Sequence, residues 1–387
     1  MLPRLLALLL AIVACGRTLS HPASHALEPE AVSCKACHQK IVDSFSQTAH
    51  WKTSAAGTAQ SIKGHFGEGH NLLRTGSAGI YFKMEQRQDA FYQTAFDSAQ
   101  VRSRTERIDL VVGSGRKGQS YLFWKDGLLF QLPVSYLTGT DEWINSPGYL
   151  DGQIDFERVI PPRCLECHST SFKIEVDRGA ERYSSDYALG ISCNKCHGPG
   201  EQHVRYHASH PGEVAGKLIL NPARFVRERR LDNCGLCHSG PRNLKQPAFA
   251  YRPGETLDDY LVPPSERENP VPDVHGNQVG LLRRSNCFRF SRDMTCSTCH
   301  DVHRLERDVT QLAQKCLSCH QIGRHKMTDQ IGGRMMSLCI DCHMPNQKSN
   351  AIQINTPAKQ FAPYYRSHMI AIYPEVAATP LQSRKEQ

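Results

Sequence analysis

Seven copies of Cys-x-x-Cys-His punctuate the chain and constrain its fold more than any other feature. They begin at Cys34, Cys164, Cys193, Cys234, Cys296, Cys316 and Cys339. Their second cysteines are Cys37, Cys167, Cys196, Cys237, Cys299, Cys319 and Cys342, and they close on His38, His168, His197, His238, His300, His320 and His343. Cys-x-x-Cys alone also chelates zinc. Here a histidine follows every copy at once, in a chain with 19 His among 387 residues. Composition alone gives seven such coincidences a probability on the order of 10⁻⁹, and zinc sites have no reason to require them. The pattern is the attachment signature of c-type haem. Two thiols form thioethers with the porphyrin vinyl groups, and the histidine reaches the iron. The reading is seven covalently attached haems c.

The rest of the composition agrees with a fold held by cofactors. Hydrophobic residues are 40 % and aromatics 8 %, while Gly 28 and Pro 22 supply many turns. That is a lean apolar supply for 387 residues. Residues 1–26 read as a targeting segment, with Arg4 as the basic start and Leu5 to Ala14 as an apolar run too short to span a bilayer. Export to the periplasm or cell envelope is expected, where thioethers and disulfides can form. Ile12-Val13-Ala14-Cys15 resembles a lipoprotein box, which would lipidate Cys15 and anchor the protein to a membrane; ordinary cleavage after Gly16 or Ala26 is the alternative. The formal charge of +8 falls close to neutral once seven ferric haems and their propionates are added, so no nucleic-acid partner is read from it.

Motif spacing is irregular, which excludes a simple solenoid. The expected fold is mainly α with much irregular structure, organised around covalent haems, with a small antiparallel β-insertion at about 71–136. The insertion rests on β-rich runs such as Ile80–Met84 and Ala90–Phe96. It rests also on Asp126-Gly127 between two apolar runs, which suits a type I′ hairpin turn. The expected segments are 27–163 with the first haem and the β-insertion, 164–245 with haems two to four, a Pro-rich wrapping loop at 246–286, and 287–387 with haems five to seven and the tail.

The motif histidines leave twelve others, and His21 and His25 lie near the processing site. The ten that remain are enough to give every iron a second imidazole. The chosen second ligands are His50, His203, His303, His325 and His368, with His65, His70, His207, His210 and His275 in reserve. His303 lies three residues after His300, so on a helix both would project the same way. It is therefore expected to serve a neighbouring haem, and His203 and His325 less strictly so. Met294, Met335, Met336 and Met344 read as packing residues, and Cys287, outside every motif, as a buried thiol.

Two stretches carry a resemblance. Cys34-Lys-Ala-Cys37-His38, followed by Ser46-Gln-Thr-Ala-His50, resembles the opening of the cytochrome c-552/c-554-like multihaem cytochromes. These are related to the pentahaem and octahaem reductases. Cys193-Asn-Lys-Cys196-His197 with His203 is similar to a second motif of that group. The resemblance implies that His50 and His203 are distal ligands. It also sets departures: no Cys-x-x-Cys-Lys, the mark of nitrite-reducing members, occurs in the chain. The expectation is thus an exported electron carrier with mostly bis-His haems, working with redox-partner proteins in a respiratory chain, and no assigned catalytic residue. One alternative is an oxidoreductase of a small nitrogen or sulfur compound with one open-coordinate haem, sought first at His38. Another is a structural haem subunit of a larger redox complex or filament.

Overall fold

The computed structural model describes residues 28–99, 101–177, 179–265, 276–306, 308–349, 353–355 and 360–378. The leader with Cys15, and His275, lie outside the described residues. Helix and strand are nearly balanced, at 29 % and 26 %. The expected mainly α class is therefore wrong, and several antiparallel sheets replace it. The strands also begin well before residue 71 and continue past 136.

Helix α1 (Glu28–Phe45) carries the first motif and kinks at His38, where φ is −111° and ψ 35°. Ten strands follow: β1 (Ser54–Ala56), β2 (Leu72–Arg74), β3 (Tyr81–Arg87), β4 (Ala90–Phe96), β5 (Arg102–Arg107), β6 (Leu110–Val112), β7 (Gly118–Lys125), β8 (Leu128–Gln131), β9 (Val134–Leu137) and β10 (Glu142–Asn145). They form two antiparallel sheets, one in the order β2-β3-β4-β5 and the other β1-β6-β7-β9-β10, with β8 also paired to β7. Asp126 and Gly127 turn the β7–β8 hairpin with φ of 51° and 75°, and Lys125 pairs with Leu128. Both positive φ values are what a two-residue type I′ turn demands.

Strand periodicity explains how the sheets pack. Successive side chains point to opposite faces. On β7, Tyr121 and Phe123 enter a core shared with Phe82, Met84, Phe91, Ala95 and Val134 from both sheets. Leu122, between them, points the other way and joins Leu110 and Leu129 against Leu165, Phe172 and Tyr187. Leu165 belongs to α2 (Pro162–His168), the helix of the second motif, and Phe172 and Tyr187 to the hairpin β11 (Ser169–Asp177) and β12 (Ala180–Leu189). The central sheet is thus buried on both faces, and one face is a platform for a motif helix. Phe123 is 1 % exposed. Phe123→Ala is expected to destabilise the sandwich by about 3–5 kcal/mol, read as a lower urea midpoint in tryptophan fluorescence.

The strands outside the expected insertion escaped notice for a local reason. β1 is three residues long, too short to show alternation. The β11–β12 hairpin alternates but carries Lys, Glu, Asp and Arg on its open side, so it reads as polar.

Beyond Leu189 the chain is mostly short helices and turns, α3 (Asn194–His197), α4 (Glu201–Ser209), α5 (Arg227–His238), α6 (Gln278–Arg283), α7 (Asn286–Phe290), α8 (Val309–Gln314), α9 (Thr328–Ile331), α10 (Met335–His343) and α11 (Pro374–Ala378), with two small antiparallel pairings between the last two, β13 (Asn346–Lys348) with β16 (Tyr364–Arg366) and β14 (Ile354–Asn355) with β15 (Gln360–Phe361). Their apolar clusters are small. Leu231, Leu282 and Phe288 make one, and Leu236, Leu257 and Leu261 another. Among the described residues, no helix is long and apolar enough to cross a membrane.

Candidate haem sites

Each motif is built on one helical turn. His197, His300 and His320 donate their backbone N–H to the carbonyls of Cys193, Cys296 and Cys316, each at 2.9 Å. That i to i−4 bond gathers the two cysteines and the histidine onto one side of the turn. α2 begins with Pro162, whose missing N–H costs nothing at a helix start. The same helix is held from outside. Ser54 donates its hydroxyl to the His168 carbonyl at 2.7 Å, and Thr53 Oγ1 lies 2.8 Å from His168 Nδ1.

Five motif histidines face a second histidine. His38 and His203 have ring centroids 6.3 Å apart and stack at 17°. His197 and His303 lie 6.1 Å apart at 23°, and His300 and His368 6.3 Å apart at 33°. His238 and His50, and His343 and His325, stand at 6.1 Å with planes crossed at 74° and 77°. None of the five pairs joins a motif histidine to the next histidine along the chain. His303 meets His197 and not His300, and His203 meets His38 and not His197. Two imidazoles bound through Nε2 to opposite faces of one metal, at about 2.0 Å each, would put their centroids about 6.3 Å apart.

The other ring nitrogen is occupied in most of these residues. Nδ1 lies 2.9 Å from the Leu220 carbonyl oxygen in His197, 2.7 Å from that of Lys217 in His203, 2.8 Å from that of Ala371 in His343 and 3.1 Å from that of Arg366 in His368. In His300 it lies 3.1 Å from Glu306 Oε2. These acceptors require Nδ1–H, which leaves Nε2 as the lone-pair nitrogen. Burial pushes the pKa of His50, His303 and His368 down, so each favours the neutral imidazole that a metal binds. His325 differs, because its Nδ1 accepts the Met327 N–H at 3.2 Å.

Long-range bonds bring the second histidines to their places. Ser44, on α1, donates to the His303 carbonyl at 2.6 Å, and Ile191 N–H bonds the His50 carbonyl at 3.0 Å. Ser285 donates its hydroxyl to the His368 carbonyl at 3.0 Å and accepts Ile370 N–H at 2.7 Å. Arg366, bonded to Asp341 Oδ1 at 2.9 Å, ties that segment to α10.

The motifs also touch one another. The thiols of Cys167 and Cys237, of Cys234 and Cys296, and of Cys316 and Cys339 are hydrogen-bonding neighbours. Thiols of the second and fourth motifs, of the fourth and fifth, and of the sixth and seventh thus lie next to each other. Burial, then Cys339 and Cys299, pushes the Cys316 thiol up to about 11. Arg163 fastens the second motif to the fourth. Its guanidinium bonds Glu166 Oε2 and the Leu236 carbonyl, each at 2.6 Å, and Glu166 accepts the Phe249 N–H. Arg163 holds Glu166, and Arg283 holds Glu228. Cys287 is half-buried, and burial raises its pKa.

Four of the reserve histidines, His65, His70, His207 and His210, are engaged elsewhere, and the fifth, His275, lies outside the described residues. His65 Nε2 lies 3.1 Å from Asp141, and its ring is 6.1 Å from that of His70 on the β-sandwich. His207 accepts the Lys217 N–H, and His210 stacks on Tyr206 at 4.3 Å. The carbonyl acceptors of the ring N–H groups, and the Arg163–Glu166 clamp, were not visible in the sequence. Backbone oxygens carry no residue signature, and a clamp between motifs depends on the fold.

Residues 140–198 match the family model described as cytochrome c554 and c-prime, a span that holds the second and third motifs. In fold, the chain is similar to the outer cell wall cytochrome OcwA, with a TM-score of 0.56 at 16 % identity, over 89 % of this chain and 80 % of that one. The fold is that of a multihaem cytochrome. The undecaheme cytochrome from the S-layer of Carboxydothermus ferrireducens aligns with a TM-score of 0.40 at 14 % identity, over 85 % of this chain and 53 % of its own.

The residues present fit haem c. Paired thiols lie one helical turn from an imidazole in every motif, and the facing rings stand at the spacing a six-coordinate iron needs. His38, the residue beside which an open haem was first sought, has His203 stacked across from it. The platform of the β-sheet lies against the second motif.

Proposed function

We propose that this chain is an exported cytochrome that carries seven haems c and passes electrons between them in a respiratory chain. The fourteen motif cysteines would hold the haems, and the seven motif histidines would be the proximal ligands. The five facing pairs carry the reading: His38 with His203, His238 with His50, His197 with His303, His300 with His368, and His343 with His325. Haem supplies reversible one-electron chemistry at iron. Two imidazoles on one iron keep other molecules off it and favour low potential over a His/Met pair. Because four of the five pairs join distant segments, the second ligands His50, His203, His303 and His368 also staple two parts of the chain together. His325 would exchange its bond from Met327 for a tautomer with Nε2 free.

The sulfur contacts support an order of haems in space. The second, fourth and fifth would be adjacent in series, and the sixth beside the seventh. The protein's contribution is to hold these neighbours close and to tune them by burial and charge. The proposed place is the cell envelope, with redox proteins as partners and lipidated Cys15 as the possible tether.

Intact mass and peptide mapping of the mature protein are the direct test. Seven haems, one on each motif peptide, are expected, with low-spin ferric EPR signals dominating. A motif peptide found without haem would overturn the count. Largely high-spin signals would overturn the bis-His assignment.

A further inference from the structure

The ten non-motif histidines beyond the leader would suffice in number, but among the described residues those that face a motif histidine serve only five of the seven irons, and the shortfall has a location. Outside the motifs the described residues include nine histidines. Five face a motif histidine, while His65, His70, His207 and His210 are held by Asp141, one another, Lys217 and Tyr206 as described above. The motif histidines not in those five pairs are His168 and His320. Beyond the leader, His275 is the one other histidine in the sequence, and it cannot serve two irons.

His168 and His320 stand in different surroundings. His168 closes a helix packed beneath the β-sandwich, and its ring bonds Thr53. The sixth motif lies on a single short turn, Lys315–Ser318, and the His320 side chain is exposed, with no ring partner among the described residues. His325, five residues on, could have been its second ligand, but its ring is directed to His343. Met336 is 45 % exposed on α10 and Met335 is buried there, so neither thioether is presented as a ready substitute.

We infer that the haem of the sixth motif has His320 as its one imidazole and an open sixth position that binds small external ligands. This rests on the proposed haem attachment at Cys316 and Cys319. The fitting ligands are small neutral or anionic molecules with a lone pair on carbon, nitrogen or oxygen. The class includes nitric oxide, cyanide, nitrite and hydroxylamine. The contact between Cys316 and Cys339 places this iron beside the seventh haem, whose two axial positions would be filled by His343 and His325. An open site next to a saturated one is where a chain of electron carriers could meet a small molecule.

The test uses the full-length oxidised holoprotein, with cyanide and nitric oxide as probes. Peptide mapping first establishes whether Cys316–His320 carries haem. With haem present, one high-spin ferric signal per chain is expected, converting to low-spin with about one equivalent of tightly bound cyanide. The double variant Cys316→Ser/Cys319→Ser should lose one haem by mass together with that signal. Haem on this peptide with only low-spin iron that ignores both probes would overturn the inference and leave the seven-haem reading standing. No haem on this peptide would overturn both. A high-spin signal that survives in the double variant would overturn the location. If the variant does not fold, ligand-induced changes in the wild-type spectrum still decide between open and closed iron.

Discussion

Produced in a host that cannot attach haem, the chain is expected to keep its β-sandwich and lose most of its helices. The two halves draw on different sources of stability. Sixteen buried side chains from the two sheets and their loops form one continuous core, and a second cluster fills the opposite face of the central sheet. From Asn194 to His343 the α-helices run from 4 to 12 residues, at or below the length at which an isolated helix is even marginal in water. Their apolar clusters hold three buried side chains each. Burying one such side chain contributes about 1.5–3 kcal/mol, whereas ordering each residue's backbone costs about 1–2 kcal/mol. Three side chains cannot order a segment of several dozen residues. Limited proteolysis of the haem-free protein should therefore yield a resistant fragment spanning about residues 54–191. Circular dichroism should show strand signal with little helix. Equal resistance over the whole chain would mean that the helical half has a source of stability other than haem.

This division also explains what could be read from the sequence. Haem motifs are contiguous, five-residue patterns fixed by chemistry, so Cys296–His300 reads the same in any fold. Asp126-Gly127 was legible for the same reason, because a type I′ turn is decided by the two residues themselves. Strands such as Ser54–Ala56 are different: three residues have no period, and only their partners make them strands. The mainly α expectation failed because it spread a lean composition evenly over the chain. The apolar residues are concentrated in the β half, which is built like an ordinary domain core. The second histidines lie between these extremes. His50, His203, His303, His325 and His368 could be named as a set, since unassigned histidines in such a chain are few. That His50 faces His238, across about 190 residues of sequence, could not be read without the fold.

The stapling role of the second histidines leads to the other large effect. His303→Ala is expected to do two separable things in the oxidised protein. It removes one axial imidazole from the haem of His197, so one low-spin ferric signal should be replaced by a high-spin one while the haem content stays unchanged. It also cuts the link between the third-motif turn and the segment after the fifth. The shortest path around that link through the other four pairs is about 80 residues, and a cross-link closing such a loop contributes about 4.5 kcal/mol in the chain-entropy account. The His325–His343 link closes about 18 residues and contributes about 3 kcal/mol on the same account. Chemical unfolding should therefore place His303→Ala about 1.5 kcal/mol below His325→Ala. Added imidazole separates the two roles, since it can refill the axial position but cannot rejoin the chain. In His303→Ala it should restore the low-spin spectrum and leave most of the stability deficit in place. Recovery of both together would mean that coordination of the iron, and not the crossing of the chain, carries the stability. No change in spin state on removing His303 would show that this ring, though 6.1 Å from His197, does not share its iron.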